Sequence, residues 1–253
     1  MRDVTYPPII LAAKLGFRAL GQRIRLTGTD HVPRHGGALL AVNHVSYVDF
    51  VYGGLAANPS GRKVRFMAKR ELFDHRLTGP MMRSMHHIEV DRADGEASLQ
   101  TALEYLRAGE CVGIFPEATI SRSFELKEFK TGAVRIAAAA GVPLVPVILW
   151  GTQRMMTKGH PRDFSRGTTI SVSAGAPLHP TGEDPEAETA ELRRVMSLML
   201  DEAIEAYPDE EQPEGCWWLP RRYGGSAPTL EEAAGLDVAE RAARAAKNAR
   251  DAS

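Results

Sequence analysis

Two side chains five residues apart, His44 and Asp49, have the chemistry of a general base and its orienting partner. An imidazole can take a proton from a substrate hydroxyl, while a carboxylate holds the ring in one tautomer and stabilises the imidazolium that forms. Such a pair needs no nucleophile of its own if the substrate supplies one. Ser46 and Asp49 also fit a capping box, in which the carboxylate only satisfies free N–H groups at a helix start. From these residues alone both interpretations stay open.

The apolar run at residues 38–42 predicts the strand that positions this pair. A buried strand would deliver Asn43 and His44 to its carboxyl end, where open α/β sheets place their ligand sites. A helix is predicted to begin at Ser46. We therefore expect His44 to lie at the mouth of a cleft.

Length and composition indicate one α/β domain with additions and not two full domains. The chain has 253 residues, and 43% of them are hydrophobic, which is ample for a core. The two cysteines, Cys111 and Cys216, fit neither a disulfide framework nor a metal cage and favour a reducing cytoplasm. His86 and His87 are adjacent, so they would point to opposite faces of a strand and could not easily share a metal. No metal site is predicted.

Charge is distributed unevenly along the chain, although the formal net charge is only -1. Residues 1–92 contain 14 Lys and Arg against 7 Asp and Glu, whereas the remainder contains 17 against 25. The basic part carries the predicted site, so its partners should be anionic: phosphate groups, coenzyme A or membrane headgroups. Nucleic acid is a poorer candidate, because the sequence has no basic helix with interleaved aromatic residues.

Both ends of the chain differ from the part between them. Residues 9–20 predict a basic amphipathic helix that either lies on a membrane or packs on the core, and no secretory signal is evident. Beyond Pro208 the composition shifts, and Trp217 and Trp218 favour docking on the domain over a membrane interface. A charged, Ala-rich helix from about Leu230 is predicted as a peripheral appendage. The predicted division is residues 1–23, an amphipathic helix, 24–207, the main domain, and 208–253, an extension.

Four blocks of sequence, in order across residues 24–150, resemble the glycerolipid acyltransferases, the 1-acylglycerol-3-phosphate acyltransferase family. The resemblance implies that His44 and Asp49 are the catalytic pair. The blocks comprise residues 24–28, 32–33 and 36–38 leading into 42–49, then 68–73, 79–80 and 88–92, then 115–123, and finally 130–133 and 141–147.

In the second block, the resemblance assigns the glycerol phosphate to a basic residue at the end, which is Arg92 in this chain. A guanidinium can donate two parallel hydrogen bonds to phosphate oxygens. Lys69 is a further candidate for the same phosphate. The alternative for Arg92 is a surface salt bridge with Asp91 or Asp94.

The third block departs from the family pattern at two positions. Ala118 stands where glycine is usual, which argues against a left-handed backbone there. Ile120 stands where a substrate-contacting arginine is usual, so one expected phosphate ligand is missing. The matching residues are Phe115, Pro116, Glu117, Thr119 and Ser121.

Arg122 is predicted to replace the missing arginine, with Lys127 and Lys130 as alternatives. Glu117 is expected either to hold the loop or to accept a hydrogen bond from the acceptor hydroxyl; a purely structural carboxylate remains open. Thr119 completes the predicted substrate-binding set of Lys69, Arg92, Glu117, Thr119, Arg122 and Lys130.

The resemblance implies a single α/β domain with a mixed, mostly parallel central sheet flanked by helices, an N-terminal amphipathic helix and a C-terminal helical extension. It also implies transfer of a fatty acyl group from acyl-CoA, a co-substrate, to the free hydroxyl of a lysophospholipid. The sn-2 hydroxyl of 1-acyl-glycerol 3-phosphate is the leading acceptor, in phospholipid biosynthesis. No cofactor is expected, and the predicted location is the cytoplasmic face of the cell membrane, as a peripheral protein.

Two alternatives to this activity stay open. An enzyme of the same superfamily could use a glycolipid or another lysophospholipid, which the Ile120 departure favours. A non-catalytic lipid-binding protein is the other, and the intact His44 and Asp49 argue against it. The oligomeric state is not predicted.

Overall fold

The computed structural model describes residues 5–91 and 95–251. Its helices and strands alternate along most of the chain, the pattern typical of an α/β fold. The helices are α1 (Tyr6–Ala19), α2 (Asp49–Gly53), α3 (Arg70–Asp74), α4 (Thr78–Ser84), α5 (Gly95–Arg107), α6 (Gly132–Ala140), α7 (Pro185–Glu205) and α8 (Leu230–Asp251). The strands are β1 (Arg23–Thr27), β2 (Ala38–Val42), β3 (Val64–Lys69), β4 (Ile88–Val90), β5 (Cys111–Ile114), β6 (Leu144–Trp150) and β7 (Thr169–Ala174).

The strands form one seven-stranded sheet in the order β1-β7-β6-β2-β5-β3-β4. The five strands from β6 to β4 are mutually parallel, whereas β7 pairs antiparallel with β6 and carries β1 parallel to itself. The prediction of a mixed, mostly parallel sheet flanked by helices is confirmed.

Strand β2 lies in the middle of the sheet and is buried on both faces. Leu39 and Ala41 pack into a core formed with α5, α6 and α7, while Leu40 and Val42 pack into a second core that contains Tyr52 of α2. A strand covered on both faces is uniformly apolar, which explains the unbroken run at residues 38–42.

The carboxyl ends of β2, β5 and β6 meet at one edge of the sheet, because these three strands are neighbours and parallel. Asn43 holds the chain there as it leaves β2. Its side-chain amide donates to the carbonyl of Leu149 at 3.1 Å and accepts from the Leu149 N–H at 2.7 Å. These bonds extend the β2–β6 pairing by one residue, so that His44 begins the loop at a defined position.

The two ends of the chain both contact the domain. In α1, Tyr6 is buried and Phe17 packs against the core, whereas Leu11 and Leu15 are exposed. In the extension, Trp218 and Leu219 are buried beside α7, as the docking prediction requires. Within the described part of the chain, none of the helices has the length and apolarity needed to cross a membrane.

Candidate active site

His44 and Asp49 lie in direct hydrogen-bond contact at the carboxyl end of β2. The distance between His44 Nδ1 and Asp49 Oδ2 is 2.9 Å. An ionised carboxylate can only accept, so Nδ1 carries the proton and Nε2 is the basic nitrogen of the neutral ring. Asp49 is fully buried, while a fifth of the His44 side chain remains exposed. The pair therefore presents a base at the protein surface with its orienting group behind it.

Asp49 accepts backbone N–H groups in the turn before α2 as well as the N–H of the His44 ring. Its Oδ2 accepts the N–H groups of Val45 and Ser46, each at 2.7 Å. The Ser46 hydroxyl donates to the carbonyl of Met156 at 2.6 Å. The prediction that the helix begins at Ser46 is wrong, because α2 begins at Asp49. The intervening residues form the tight turn that these N–H groups close.

A threonine after β6 fixes the other oxygen of Asp49. The Thr152 hydroxyl donates to Asp49 Oδ1 at 2.7 Å, and both side chains are fully buried. Gly151 makes this approach possible, since its φ of 99° is in the region that favours glycine and a Cβ there would lie 2.3 Å from the carbonyl oxygen of Thr169. The sequence interpretation missed Thr152.

An aromatic stack supports the His44 ring from β5 and β3. The ring lies over Phe115 with centroids 4.2 Å apart, and Phe115 lies over Phe66 at 5.5 Å. Gly113 leaves room for this stack, because a Cβ at that position would lie 2.5 Å from the Phe66 ring. Stacked rings hold one another by dispersion and quadrupole interactions. The stack and Asp49 together restrict His44 to one orientation.

Glu117 connects the loop after β5 to the His44 backbone. One carboxylate oxygen accepts the His44 N–H at 2.7 Å, and the other accepts the Lys127 N–H at 3.1 Å. Burial raises the pKa of Glu117 to about 8, although these two backbone hydrogen bonds oppose the shift. In this geometry Glu117 holds the loop, and both of its oxygens are already used by the protein.

Replacing Glu117 by glutamine tests this buried carboxyl. Because its folded pKa lies above the ordinary value of 4.5, the folded chain binds more protons than the unfolded chain between about pH 4.5 and pH 8. The wild-type free energy of unfolding therefore falls as the pH rises through that window. The free energy of unfolding should be measured with urea for wild type and for E117Q at pH 5 and at pH 8. Relative to wild type, E117Q should be more stable at pH 8 than at pH 5 by about 1 kcal/mol or more.

The matched control is E128Q, which changes a carboxylate that is 94% exposed in the same loop. Its difference from wild type should stay constant between the two pH values. A constant difference for E117Q as well would contradict the raised pKa of Glu117.

Ala118 corrects one expectation about this loop. Its φ is 57°, so the left-handed conformation is present despite the side chain. That backbone costs about 1–2 kcal/mol for a residue with a Cβ. Hydrogen bonds on either side impose it: Glu117 binds two N–H groups, and the Ser121 N–H donates to the His44 carbonyl at 2.7 Å. The loop keeps its shape without the usual glycine.

The residues predicted to bind the substrate phosphate have different environments in the structure. Arg122 forms ion pairs with two carboxylates of α8, and Ile120 is buried. Lys130 is exposed, and Lys69 is exposed at the end of β3. The Thr119 hydroxyl accepts from Lys158 Nζ at 3.0 Å. Arg92 lies outside the described residues, so its predicted role stays a prediction.

The fold and the site together define an α/β protein with a histidine–carboxylate base at the carboxyl edge of its sheet. A family model described as Acyltransferase matches residues 23–150, half of the chain. The chain therefore belongs to the acyltransferase family, and the resemblance seen in the four blocks is confirmed.

Its curated relatives include two enzymes of one name. The 1-acyl-sn-glycerol-3-phosphate acyltransferase of Bacillus subtilis is 31% identical over 157 residues, which is 62% of this chain and 74% of that protein. The chloroplastic 1-acyl-sn-glycerol-3-phosphate acyltransferase LPAT1 of Arabidopsis thaliana is 30% identical over 182 residues, 70% of this chain and 50% of that protein. This chain thus spans about half the length of the plant relative.

A solved structure shares the fold. The 1-acyl-sn-glycerophosphate (LPA) acyltransferase PlsC of Thermotoga maritima superposes with a TM-score of 0.66 over 80% of each chain, at 24% sequence identity.

Proposed function

We propose that this chain transfers a fatty acyl group from a thioester to the free hydroxyl of a lysophospholipid, with 1-acylglycerol 3-phosphate as the acceptor. The observation that carries the proposal is the 2.9 Å hydrogen bond from His44 Nδ1 to Asp49, which leaves Nε2 as a base with no protein nucleophile needed beside it. The names of the curated relatives support this choice of acceptor.

In the proposed reaction, His44 Nε2 takes the proton of the acceptor hydroxyl while that oxygen attacks the thioester carbonyl. The tetrahedral intermediate then collapses, the carbon–sulfur bond breaks, and the thiolate leaves with the proton held by His44. Asp49 keeps the ring in the productive tautomer and stabilises the imidazolium between these steps. The acyl group passes directly to the acceptor, so acyl-CoA serves as a co-substrate and the mechanism uses no covalent acyl-enzyme.

The acceptor phosphate is proposed to bind the basic side chains around the site. Arg92 and Lys69 from the second block are proposed to hold it, because guanidinium and ammonium groups donate charge-assisted hydrogen bonds to phosphate oxygens. The hydroxyl presented to His44 is then the sn-2 hydroxyl. Glu117 and Thr119 shape the loop that faces this substrate.

A glycolipid or another lysophospholipid is the second candidate acceptor. Ile120 favours it, because this residue is 3% exposed and leaves no cation at the position where the family pattern has arginine. A headgroup with its charge placed elsewhere would not need that contact.

A lipid surface is the proposed setting for the reaction, at the cytoplasmic face of the cell membrane. Helix α1 supports this, because Leu11 and Leu15 are 59% and 58% exposed and Arg18 lies in its last turn. Apolar side chains beside a cation suit an anionic membrane surface.

Release of free thiol from a panel of lysolipids tests the proposal. Each acceptor is mixed with acyl-CoA or an acylated carrier protein and the purified chain. We expect release with 1-acylglycerol 3-phosphate and none when the acceptor is omitted. Release only with a glycolipid would replace the leading acceptor, whereas no release with any acceptor and either donor would favour a lipid-binding protein.

A further inference from the structure

Helix α8 places two carboxylates among three cations that come from separate parts of the chain. Asp237 accepts from Arg122 Nε at 3.1 Å, from Lys127 Nζ at 2.5 Å and from Lys158 Nζ at 3.2 Å. Glu240 accepts from Arg122 Nη2 at 2.8 Å and from Lys158 Nζ at 3.2 Å. We call Arg122, Lys127 and Lys158 the cationic cluster. It carries three positive charges against two negative charges from α8.

The cationic cluster is part of the loops that form the candidate active site. Lys127 follows β5 in the same loop as Glu117, which accepts the backbone N–H groups of both Lys127 and His44. Lys158 donates to the Thr119 hydroxyl, and the neighbouring Thr157 donates to the Val45 carbonyl at 2.7 Å. Lys127 and Lys158 are therefore held beside the His44 loop by hydrogen bonds, and Arg122 follows Ser121, whose N–H donates to the His44 carbonyl.

Charge, and not apolar burial, holds α8 in this place. Among its described side chains, Ala233 and Asp237 are buried, while Leu230, Leu236 and Val238 are exposed. Burial raises the pKa of Asp237, but the ammonium groups of Lys127 and Lys158 outweigh it and keep that pKa below its ordinary range. Further along α8, Arg244 lies 3.7 Å from Glu71 of α3. Helix α8 thus extends from the loop after β5, which contains Arg122, to α3.

We propose that the cationic cluster is a binding subsite for a substrate phosphate, and that α8 is a strap whose Asp237 and Glu240 occupy this subsite until the substrate displaces them. The donors that now bind carboxylate oxygens have the geometry and charge to bind phosphate oxygens. The inference rests on the proposed function for the identity of its ligand, which is either the acceptor headgroup or a phosphate of coenzyme A.

The energetics of the strap suit a reversible contact. A helix with few buried apolar contacts opens locally at low cost, and a phosphate that takes the place of Asp237 and Glu240 keeps the three cations paired. The subsite can bind a phosphate only in the molecules in which Asp237 and Glu240 have left it. If these molecules are a fraction of the population, the apparent affinity for substrate is reduced by that fraction. Weakening the strap should therefore strengthen apparent substrate binding without changing the chemical step.

Kinetics of D237N test the strap, because Asp237 contacts all three members of the cluster. The matched control is E231Q, which removes a carboxylate from the exposed first turn of the same helix, outside the cluster. We expect D237N to lower one KM by about 3- to 10-fold at unchanged kcat, and E231Q to behave as wild type. A lower KM for the lysolipid identifies the headgroup as the ligand, and a lower KM for acyl-CoA identifies the coenzyme.

Hydrogen exchange provides a measurement that does not depend on turnover. Amides of α8 should exchange faster in sodium pyrophosphate than in sodium chloride of equal ionic strength, while amides of α7 should not change. Equal exchange in the two salts, together with D237N kinetics equal to those of E231Q, would overturn the proposal. A higher KM in D237N would also overturn it, since α8 would then be positioning the cations. If wild type releases no thiol with any lysolipid, the proposed function fails, and hydrogen exchange alone decides the strap.

Discussion

Replacing His44 by alanine is expected to reduce turnover by about 100- to 10,000-fold, the contribution of a positioned general base. The variant removes the imidazole, whose Nε2 is the basic nitrogen that the His44–Asp49 pair offers to a substrate. Asp49 itself is fully buried. The measurement is the rate of thiol release at saturating acyl-CoA and lysolipid. Because the loss affects the transition state, kcat should fall while KM changes little.

The control for this variant is H179A. His179 is exposed and follows Leu178, which pairs with Leu144 at the amino end of β6, the opposite edge of the sheet from His44. H179A should keep wild-type turnover. Wild-type turnover in H44A, with the fold shown intact by circular dichroism, would remove His44 from the mechanism.

Replacing Asp49 by asparagine is expected to reduce turnover by about 1,000- to 10,000-fold, because the ring loses the partner that sets its tautomer. The carboxylate accepts from His44, from the N–H groups of Val45 and Ser46, and from Thr152. The asparagine side chain has one oxygen that can accept a hydrogen bond. Its NH₂ group would replace the other carboxylate oxygen and would face groups that themselves donate. We expect this mismatch to lower the free energy of unfolding by about 1–3 kcal/mol as well.

A double variant separates the catalytic from the structural effect of Asp49. If Asp49 acts through His44, H44A/D49N should turn over no more slowly than H44A alone, because residues that work as a unit are not additive. The control for the charge change is D30N, since Asp30 is exposed beyond β1 and lies at the other edge of the sheet. Multiplied losses in the double variant would show that Asp49 contributes independently of the imidazole.

Local features of this site were accessible from the sequence. The buried strand β2 follows from an apolar run. The helix predicted to begin at Ser46 begins three residues later, at Asp49. A histidine and an aspartate five residues apart around a turn cannot separate far, so their contact is almost a local property. The order of the four blocks then indicated the family and, through it, the sheet.

The supports of the pair depend on the tertiary structure. Thr152 reaches Asp49 across 103 residues, and the Phe66–Phe115 stack joins two neighbouring strands under His44. The local hydrophobic pattern of the sequence does not predict these contacts, because they depend on which strands are neighbours in the sheet. The loop after β6 lies near Asp49 because β6 is the neighbour of β2 in the sheet.

The sequence determined that a histidine and its carboxylate partner follow the central strand, because an apolar run and a spacing of five residues are both local features. The tertiary structure decided the backbone at Ala118, where hydrogen bonds from distant segments outweigh a local steric preference of about 1–2 kcal/mol. It also decided the place of α8, whose Asp237 meets Arg122 across 115 residues. Charge attraction between such distant segments acts only after the chain has folded around the sheet.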